Sequence, residues 1–131
     1  TNNLHRYRNN VVFEVPKEDV FFNGNSGQIQ QVLMNFLTNA IYATPQGKGI
    51  TLKVERDEQN VILVIDDEGE GMSKETLSKI FTPFFTTKPP GEGTGLGMSI
   101  SMTIVEQHNG KIIIASEEGK GTKVSVILPI A

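Results

Sequence analysis

The chain contains no cysteine among its 131 residues, so it has no disulfides and no thiolate metal ligands, which fits a reducing compartment. Positive charge is scarce: 12 Lys and Arg against 15 Asp and Glu give a net charge of −3, which argues against binding to duplex nucleic acid. No run of 18 apolar residues occurs, so the sequence predicts no membrane-spanning helix. What remains is a globular composition, 37% hydrophobic and 21% charged, at a length that suits one domain.

Glycine is concentrated in one stretch, Gly91-Glu-Gly-Thr-Gly-Leu-Gly-Met98, directly before a helical pattern. Alternating glycines let successive N–H groups point at one spot, and a helix start adds free donors and partial positive charge. The stretch therefore predicts an anion site, most often for phosphate, although by itself it also fits a plain flexible loop.

Three familiar phosphate motifs are excluded. No lysine follows the glycines as in a P-loop, and the segment before them, Phe81 to Pro90, contains prolines instead of the strand of a dinucleotide-binding fingerprint. The His-Arg-Asp and Asp-Phe-Gly motifs of protein kinases are also absent. The glycine loop therefore belongs to another class of phosphate site.

Helices and hairpins alternate in blocks, which predicts an α+β fold with one antiparallel-rich sheet and helices on one face. A first long helix begins at a cap, Asn25 or Ser26, and runs to about Thr44. Ser73 caps a short helix to about Ile80, and a second long helix covers residues 96–108. The predicted strands are 11–15, 20–22, 50–54, 60–66, 111–115 and 123–128.

The first long helix carries two amides at the edge of an apolar stripe. Asn35 and Asn39 are four residues apart, so they lie on one face. Such amides either bond to each other, to water or to a neighbouring loop, or supply oxygen ligands to Mg²⁺. The stripe consists of Ile29, Val32, Leu33, Phe36, Leu37, Ala40 and Ile41.

An acidic segment, Asp66 to Gly71, follows the strand that begins at Asn60. A carboxylate at a strand end, followed by two glycines, allows a nucleobase to approach the backbone closely, and the carboxylate can accept a hydrogen bond from its exocyclic amine. The alternative is an acidic turn, which is common.

Four blocks occur in a fixed order: Asn35-x-x-x-Asn39, Asp67-x-Gly69-x-Gly71, the segment 81–88 and the segment 93–97. Over about residues 26 to 129 the chain resembles the ATP-binding catalytic domain of sensor histidine kinases, in the superfamily shared with gyrase, Hsp90 and MutL. The resemblance implies the Bergerat fold, a two-layer α/β sandwich with a mixed, mostly antiparallel sheet packed under three helices. It also implies one catalytic domain over 1–131, with 1–10 as a linker remnant and 81–95 as a mobile ATP lid that is poorly ordered without nucleotide.

The resemblance implies ATP and Mg²⁺ as ligands. Asn39 resembles the main Mg²⁺ ligand, with Asn35 supporting the ion directly or through water. Asp67 resembles the aspartate that reads the adenine amino group, with Thr122 assisting through water. The other residues implied in nucleotide binding are Tyr42, Gly69, Gly71, Met72, Phe84, Lys88, Gly93, Thr94, Gly95, Leu96 and Gly97.

Position 35 distinguishes the branches of the superfamily. Hydrolysing branches resemble Glu-x-x-x-Asn, in which the glutamate activates water, and the amide of Asn35 cannot take a proton at neutral pH. We therefore expect phosphoryl transfer to an external acceptor. The alternatives are a gyrase-type or MutL-type ATPase and a degenerate nucleotide-binding regulatory module.

The chain departs from the family pattern twice. Tyr42 stands where many members carry Lys or Arg, and we hypothesise that Lys88 at the end of the lid block supplies the missing charge as a catalytic residue beside Asn35 and Asn39. Glu68 stands where asparagine is more usual and adds negative charge near the adenine pocket.

No phosphorylatable histidine is evident. His5 precedes Arg6, and His108 falls at a helix end, where a C-terminal cap is its expected role. The resemblance therefore implies two partners, a separate histidine-containing dimerisation domain of the same parent protein and a response regulator, without direct contact to nucleic acid or membrane. We expect a piece of a longer cytoplasmic protein or of the cytoplasmic part of a membrane-bound sensor. The lid residues Phe81, Phe84 and Phe85 pack either into the core or onto a partner helix.

Overall fold

The computed structural model describes residues 10–14, 26–45, 47–82 and 97–130. The predicted strand at 20–22 and residues 83–95 of the predicted lid lie outside them. Every other predicted helix and strand is confirmed, with end points that shift by at most two residues. The elements are β1 (Asn10–Glu14), α1 (Ser26–Ala43), β2 (Gly49–Arg56), β3 (Asn60–Asp67), α2 (Lys74–Lys79), α3 (Gly97–Gln107), β4 (Lys111–Glu117) and β5 (Gly121–Pro129).

The five strands form one sheet in the order β1-β2-β3-β5-β4. β1 is parallel to β2, and the other three pairs are antiparallel. This confirms the predicted mixed, mostly antiparallel sheet. The last strand along the chain, β5, lies between β3 and β4, so Asp67 at the end of β3 is paired with Thr122 at the start of β5.

The core lies between α1, α3 and one face of the sheet. The apolar positions of α1 recur every three to four residues, so they form one stripe that packs against alternate residues of β3 and β5. Within the predicted stripe Leu33 is partly buried and the other six residues are buried. The buried apolar residues that the sheet contributes to this core cluster are Ile50, Val61, Leu63, Ile65, Val124, Val126 and Leu128.

The ends of α2 and α3 follow the predicted capping. The Ser73 hydroxyl accepts a hydrogen bond from the N–H of Thr76 at 3.1 Å, which satisfies a free donor of the first turn of α2. At the C-terminal end of α3, the His108 Nδ1 lies 2.8 Å from the carbonyl oxygen of Ile104, and Asn109 turns the chain with a φ of 59°. The capping role expected for His108 is confirmed.

None of the helices in the described ranges is long and apolar enough to cross a membrane.

Candidate nucleotide-binding site

A buried carboxylate lies at the end of β3. Asp67 is 6% exposed, and its Oδ1 accepts hydrogen bonds from the N–H of Gly69 at 2.9 Å and the N–H of Thr122 at 3.2 Å. Its other oxygen, Oδ2, accepts no hydrogen bond from the described residues. Burial raises the pKa of the Asp67 carboxyl above its ordinary value, the two backbone N–H groups oppose that rise, and the charge of Asp66 adds to it.

The segment after Asp67 runs close to other backbone, which explains its glycines. A Cβ at Gly69 would lie 2.7 Å from the carbonyl oxygen of Ala43, the last residue of α1. Gly71 has a φ of 70°, and a Cβ there would overlap the carbonyl oxygen of Glu117. The segment therefore lies between the end of α1 and the β4–β5 turn, one helical turn from Asn39.

Ser116 on β4 connects several parts of this region, although it was not among the candidate residues. Its hydroxyl accepts a hydrogen bond from the N–H of Met72 at 2.8 Å, donates to the carbonyl oxygen of Gly121 at 3.1 Å, and lies 2.8 Å from the hydroxyl of Thr122. The sequence did contain a signal for it. Ser116 continues the alternation of Ile112 and Ile114, so the strand places a hydroxyl on the face that covers the core.

The two asparagines of α1 face the start of α3. The Asn35 Nδ2 donates to the hydroxyl of Ser101 at 3.0 Å and to the carbonyl oxygen of Gly97 at 3.2 Å. Its Oδ1 accepts from the Nε2 of Gln31 at 3.0 Å. The Asn39 Nδ2 lies 3.2 Å from the sulfur of Met98. The amide of Asn35 therefore has hydrogen-bond partners within the protein, and its role toward Mg²⁺ stays a prediction.

Ser101 was also missed by the sequence analysis, although it is completely buried. Its position in the sequence could have indicated it. Ser101 comes four residues after Gly97 on the predicted helix and lies on the same side as Ile104 and Val105. A hydroxyl at that position needs a polar partner, which Asn35 provides.

The chemistry of the amides fits Mg²⁺ in one specific way. The described residues contain no group of three or more His, Cys, Asp or Glu side chains that could hold a metal ion. Mg²⁺ keeps several waters and takes one or two protein oxygens together with substrate phosphates, so an amide pair fits an ion that arrives with a nucleotide.

The structure brings one group of candidates together around β3 and β5, and a second group where α1 meets α3. The Tyr42 side chain is 46% exposed on α1. The Glu68 carboxylate accepts from the N–H of Gly49 at 2.7 Å, so it is directed to the start of β2. The first group is Asp67, Gly69, Gly71, Met72 and Thr122, and the second is Asn35, Asn39 and Gly97. Phe84, Lys88, Gly93, Thr94, Gly95 and Leu96 lie outside the described residues.

Residues 24–131 match the family described as "Histidine kinase-, DNA gyrase B-, and HSP90-like ATPase". The chain belongs to this family. It is 41% identical to the sensor protein DegM of Bacillus sp. (strain B21-2) over 113 residues, 86% of this chain and 30% of that protein. It is 43% identical to the sensor histidine kinase ZraS of Escherichia coli (strain K12) over 103 residues, 79% of this chain and 22% of that protein. The chain therefore spans under a third of the length of these curated relatives.

Solved structures place it in the histidine-kinase branch. The catalytic domain of the histidine kinase ThkA superimposes with a TM-score of 0.85 at 34% identity, over 98% of this chain and 83% of that one. The mycobacterial sensor histidine kinase MprB superimposes with a TM-score of 0.79 at 27% identity, over 98% of this chain and 87% of that one. This family member is an ATP-binding catalytic domain of the histidine-kinase type.

Proposed function

We propose that this domain binds Mg²⁺-ATP and transfers the γ-phosphoryl group to a histidine on a separate dimerisation domain of its parent protein, for relay to an aspartate of a response regulator. The family supports ATP as the nucleotide, and relatives named sensor histidine kinases support the acceptor. The structural observation that carries the proposal is the buried carboxylate of Asp67. Within the described residues, only its Oδ1 accepts hydrogen bonds.

Asp67 is proposed to select the base. The N–H groups of Gly69 and Thr122 fix the carboxylate through Oδ1, which leaves Oδ2 to accept a hydrogen bond from an exocyclic amine. Since Gly69 has no side chain, its backbone can lie against the carbonyl oxygen of Ala43 while its N–H donates to the carboxylate. Thr122 is the cross-strand partner of Asp67, and its hydroxyl is proposed to assist through water.

Asn39 and Asn35 are proposed to hold the magnesium ion, which when bound neutralises phosphate charge. Gly93, Thr94, Gly95, Leu96 and Gly97 are proposed to offer backbone N–H groups to the phosphates, and Phe84 and Lys88 to act from the lid. The Asn35 Nδ2 donates to the carbonyl oxygen of Gly97, so the face of α1 proposed to hold the ion contacts the start of α3.

Transfer is favoured over hydrolysis by the absence of a base at position 35. An amide cannot accept a proton at neutral pH, and the nitrogen of Asn35 already donates to α3. The ATPase alternative would need a carboxylate there. The acceptor is proposed to lie on another domain, because His108, the histidine within the described residues, directs its Nδ1 to the carbonyl oxygen of Ile104.

The test is a calorimetric titration with a non-hydrolysable ATP analogue, with and without Mg²⁺, beside Asp67→Asn. We expect magnesium-dependent binding, weakened about 10- to 100-fold in the variant, since a hydrogen bond to a charged group contributes about 1.5–3 kcal/mol. ATP with a labelled γ-phosphate and a histidine-bearing dimerisation domain in trans should then yield acid-labile phosphate on that domain. Binding without transfer would favour the regulatory module, and the absence of binding would contradict the nucleotide site itself.

Lys88 has its own test because Tyr42 lacks the usual positive charge. We expect Lys88→Ala to lower phosphotransfer about tenfold, the scale of one lost charge-assisted hydrogen bond. Lys74→Ala, on exposed α2, is the control. Unchanged ATP affinity and phosphotransfer in Lys88→Ala would show that the missing charge comes from elsewhere.

A further inference from the structure

The hydroxyl of Ser116 has three hydrogen-bonding neighbours within the described chain. They are the N–H of Met72 at 2.8 Å, the carbonyl oxygen of Gly121 at 3.1 Å and the hydroxyl of Thr122 at 2.8 Å. A serine hydroxyl offers one proton and two lone pairs, so all three contacts can be satisfied together.

Only one assignment of protons does so. The N–H of Met72 can only donate, and the carbonyl oxygen of Gly121 can only accept, so the proton of Ser116 goes to Gly121 and one lone pair serves Met72. The contact with Thr122 must then use the other lone pair of Ser116. Thr122 is therefore the donor of that bond, and its own oxygen keeps only lone pairs for any further partner.

The lone pairs of Thr122 lie beside another acceptor. Thr122 and Asp67 are cross-strand partners on the same face of the sheet, and the N–H of Thr122 donates to Asp67 Oδ1 at 3.2 Å. The site thus presents a carboxylate and a hydroxyl oxygen that both accept. A ligand edge with N–H donors, such as the 6-amino group of adenine or a water bonded to it, matches this pair, and a 6-oxo group does not.

We infer that Ser116 is a positioning residue that holds Thr122 as an acceptor and thereby sets a preference for 6-amino over 6-oxo purine nucleotides. The inference rests on the proposed adenine-reading role of Asp67 and adds the origin of its selectivity. Without the serine hydroxyl, the proton of Thr122 is free to rotate toward the ligand and donate to a 6-oxo group.

The test compares ATP with inosine triphosphate, which carries a 6-oxo group where ATP has its 6-amino group. Dissociation constants with Mg²⁺ are measured by calorimetry for the full chain and for Ser116→Ala. We expect the wild type to bind ATP more tightly than inosine triphosphate. In the variant, the ratio of the two affinities should fall about tenfold, the scale of one hydrogen bond. Ser116→Thr should restore the ratio, and Ser125→Ala, on the other face of the same sheet, should leave it unchanged.

A purely structural role for Ser116, through its bond to Met72, would weaken both nucleotides equally. An unchanged ATP-to-inosine-triphosphate ratio in Ser116→Ala therefore overturns the inference while ATP binding by the wild type still supports the proposed function. In a Thr122→Val background, the serine substitution should no longer alter the ratio, and a persisting effect would also overturn it. A wild type that binds neither nucleotide contradicts the proposed function and this inference together.

Discussion

Asn35 on α1 donates its side-chain N–H to the hydroxyl of Ser101 on α3 across 3.0 Å, and Ser101 is completely buried. The same nitrogen lies 3.2 Å from the carbonyl oxygen of Gly97, the first residue of α3. Position 35 therefore stabilises the packing of the two long helices, whatever its contribution to nucleotide binding.

A carboxylate at position 35 should damage this contact. In Asn35→Glu both donated hydrogen bonds are lost and a charged oxygen faces the carbonyl oxygen of Gly97, so we expect a loss of about 1–3 kcal/mol in the free energy of unfolding, without rapid ATP hydrolysis. Urea unfolding and phosphate release measure the two effects. The control is Gln30→Glu, an exposed change of the same charge on α1, which should stay within about 0.5 kcal/mol. Equal stability of the two variants would show that the contact contributes nothing.

Gly71 and Gly119 both have a positive φ, but only Gly71 is crowded by neighbouring backbone. Alanine substitutions at the two positions therefore distinguish the cost of the backbone conformation from the cost of a steric clash. Gly119→Ala meets nothing within 4 Å and should cost about 1–2 kcal/mol, the penalty of the left-handed conformation. Gly71→Ala pays the same penalty and also pushes a methyl group into the carbonyl oxygen of Glu117, which adds about 1–3 kcal/mol. Thermal unfolding of both variants gives the difference. A Gly71→Ala protein as stable as Gly119→Ala would mean that the segment moves aside without cost.

Replacement of the buried carboxylate of Asp67 by an amide should preserve or raise thermal stability while it weakens ATP binding. Because the pKa of Asp67 is raised by burial, its contribution to stability is present at low pH and is lost as pH rises through the folded-state pKa. We therefore expect ligand-free Asp67→Asn to unfold at the same or a higher temperature than the wild type at pH 7, although it binds ATP poorly. Melting curves from pH 3 to pH 8 check this, and a variant less stable than the wild type at pH 7 would contradict it.

The affinity for ATP should depend on pH through the ionisation of Asp67. The ionised carboxylate accepts a hydrogen bond from an amine more strongly than the protonated acid does, so affinity should fall on acidification at a pH above the range of an ordinary aspartate. Calorimetric titrations across pH measure this for the wild type, with Asp67→Asn as the control, whose profile should lack the transition. Parallel profiles in the two proteins would assign the pH dependence to other groups.

Asn39 should affect the phosphate half of the ligand only. We expect Asn39→Ala to weaken Mg²⁺-ATP binding about tenfold and to leave adenosine binding unchanged, since adenosine carries no phosphate to share an ion. Thr38→Ala, its exposed neighbour on α1, is the matched control. Equal loss of both ligands would instead indicate that Asn39 supports the fold, through contacts such as the one with Met98.

Features that depend on residues close in sequence were predictable. The apolar spacing of α1, the cap at Ser73 and the hairpin of β2 and β3 follow from local periodicity and turn chemistry, and the structure confirms them. Asp67, Gly69 and Gly71 could be selected as candidate binding residues because they form one short block, a carboxylate at a strand end followed by two glycines.

The partners of those residues were not predictable in the same way. Ser116 is 44 residues from Met72, and Ser101 is 66 residues from Asn35, so their contacts depend on strand order and helix packing. The β4–β5 hairpin places Ser116 beside Thr122, but only the insertion of β5 between β3 and β4 brings that pair to Asp67.

The insertion of β5 also has a consequence for synthesis. Until residues 121–129 leave the ribosome, β3 lacks its second neighbour and β4 has no described strand to pair with. A nascent chain that stops before Gly121 carries Asp67 without Thr122, so it lacks the cross-strand half of the proposed adenine pocket. Translation must therefore pass the last described strand before the proposed nucleotide site is complete, and any frameshift or truncation ahead of β5 removes the strand that joins β3 to β4 together with Thr122.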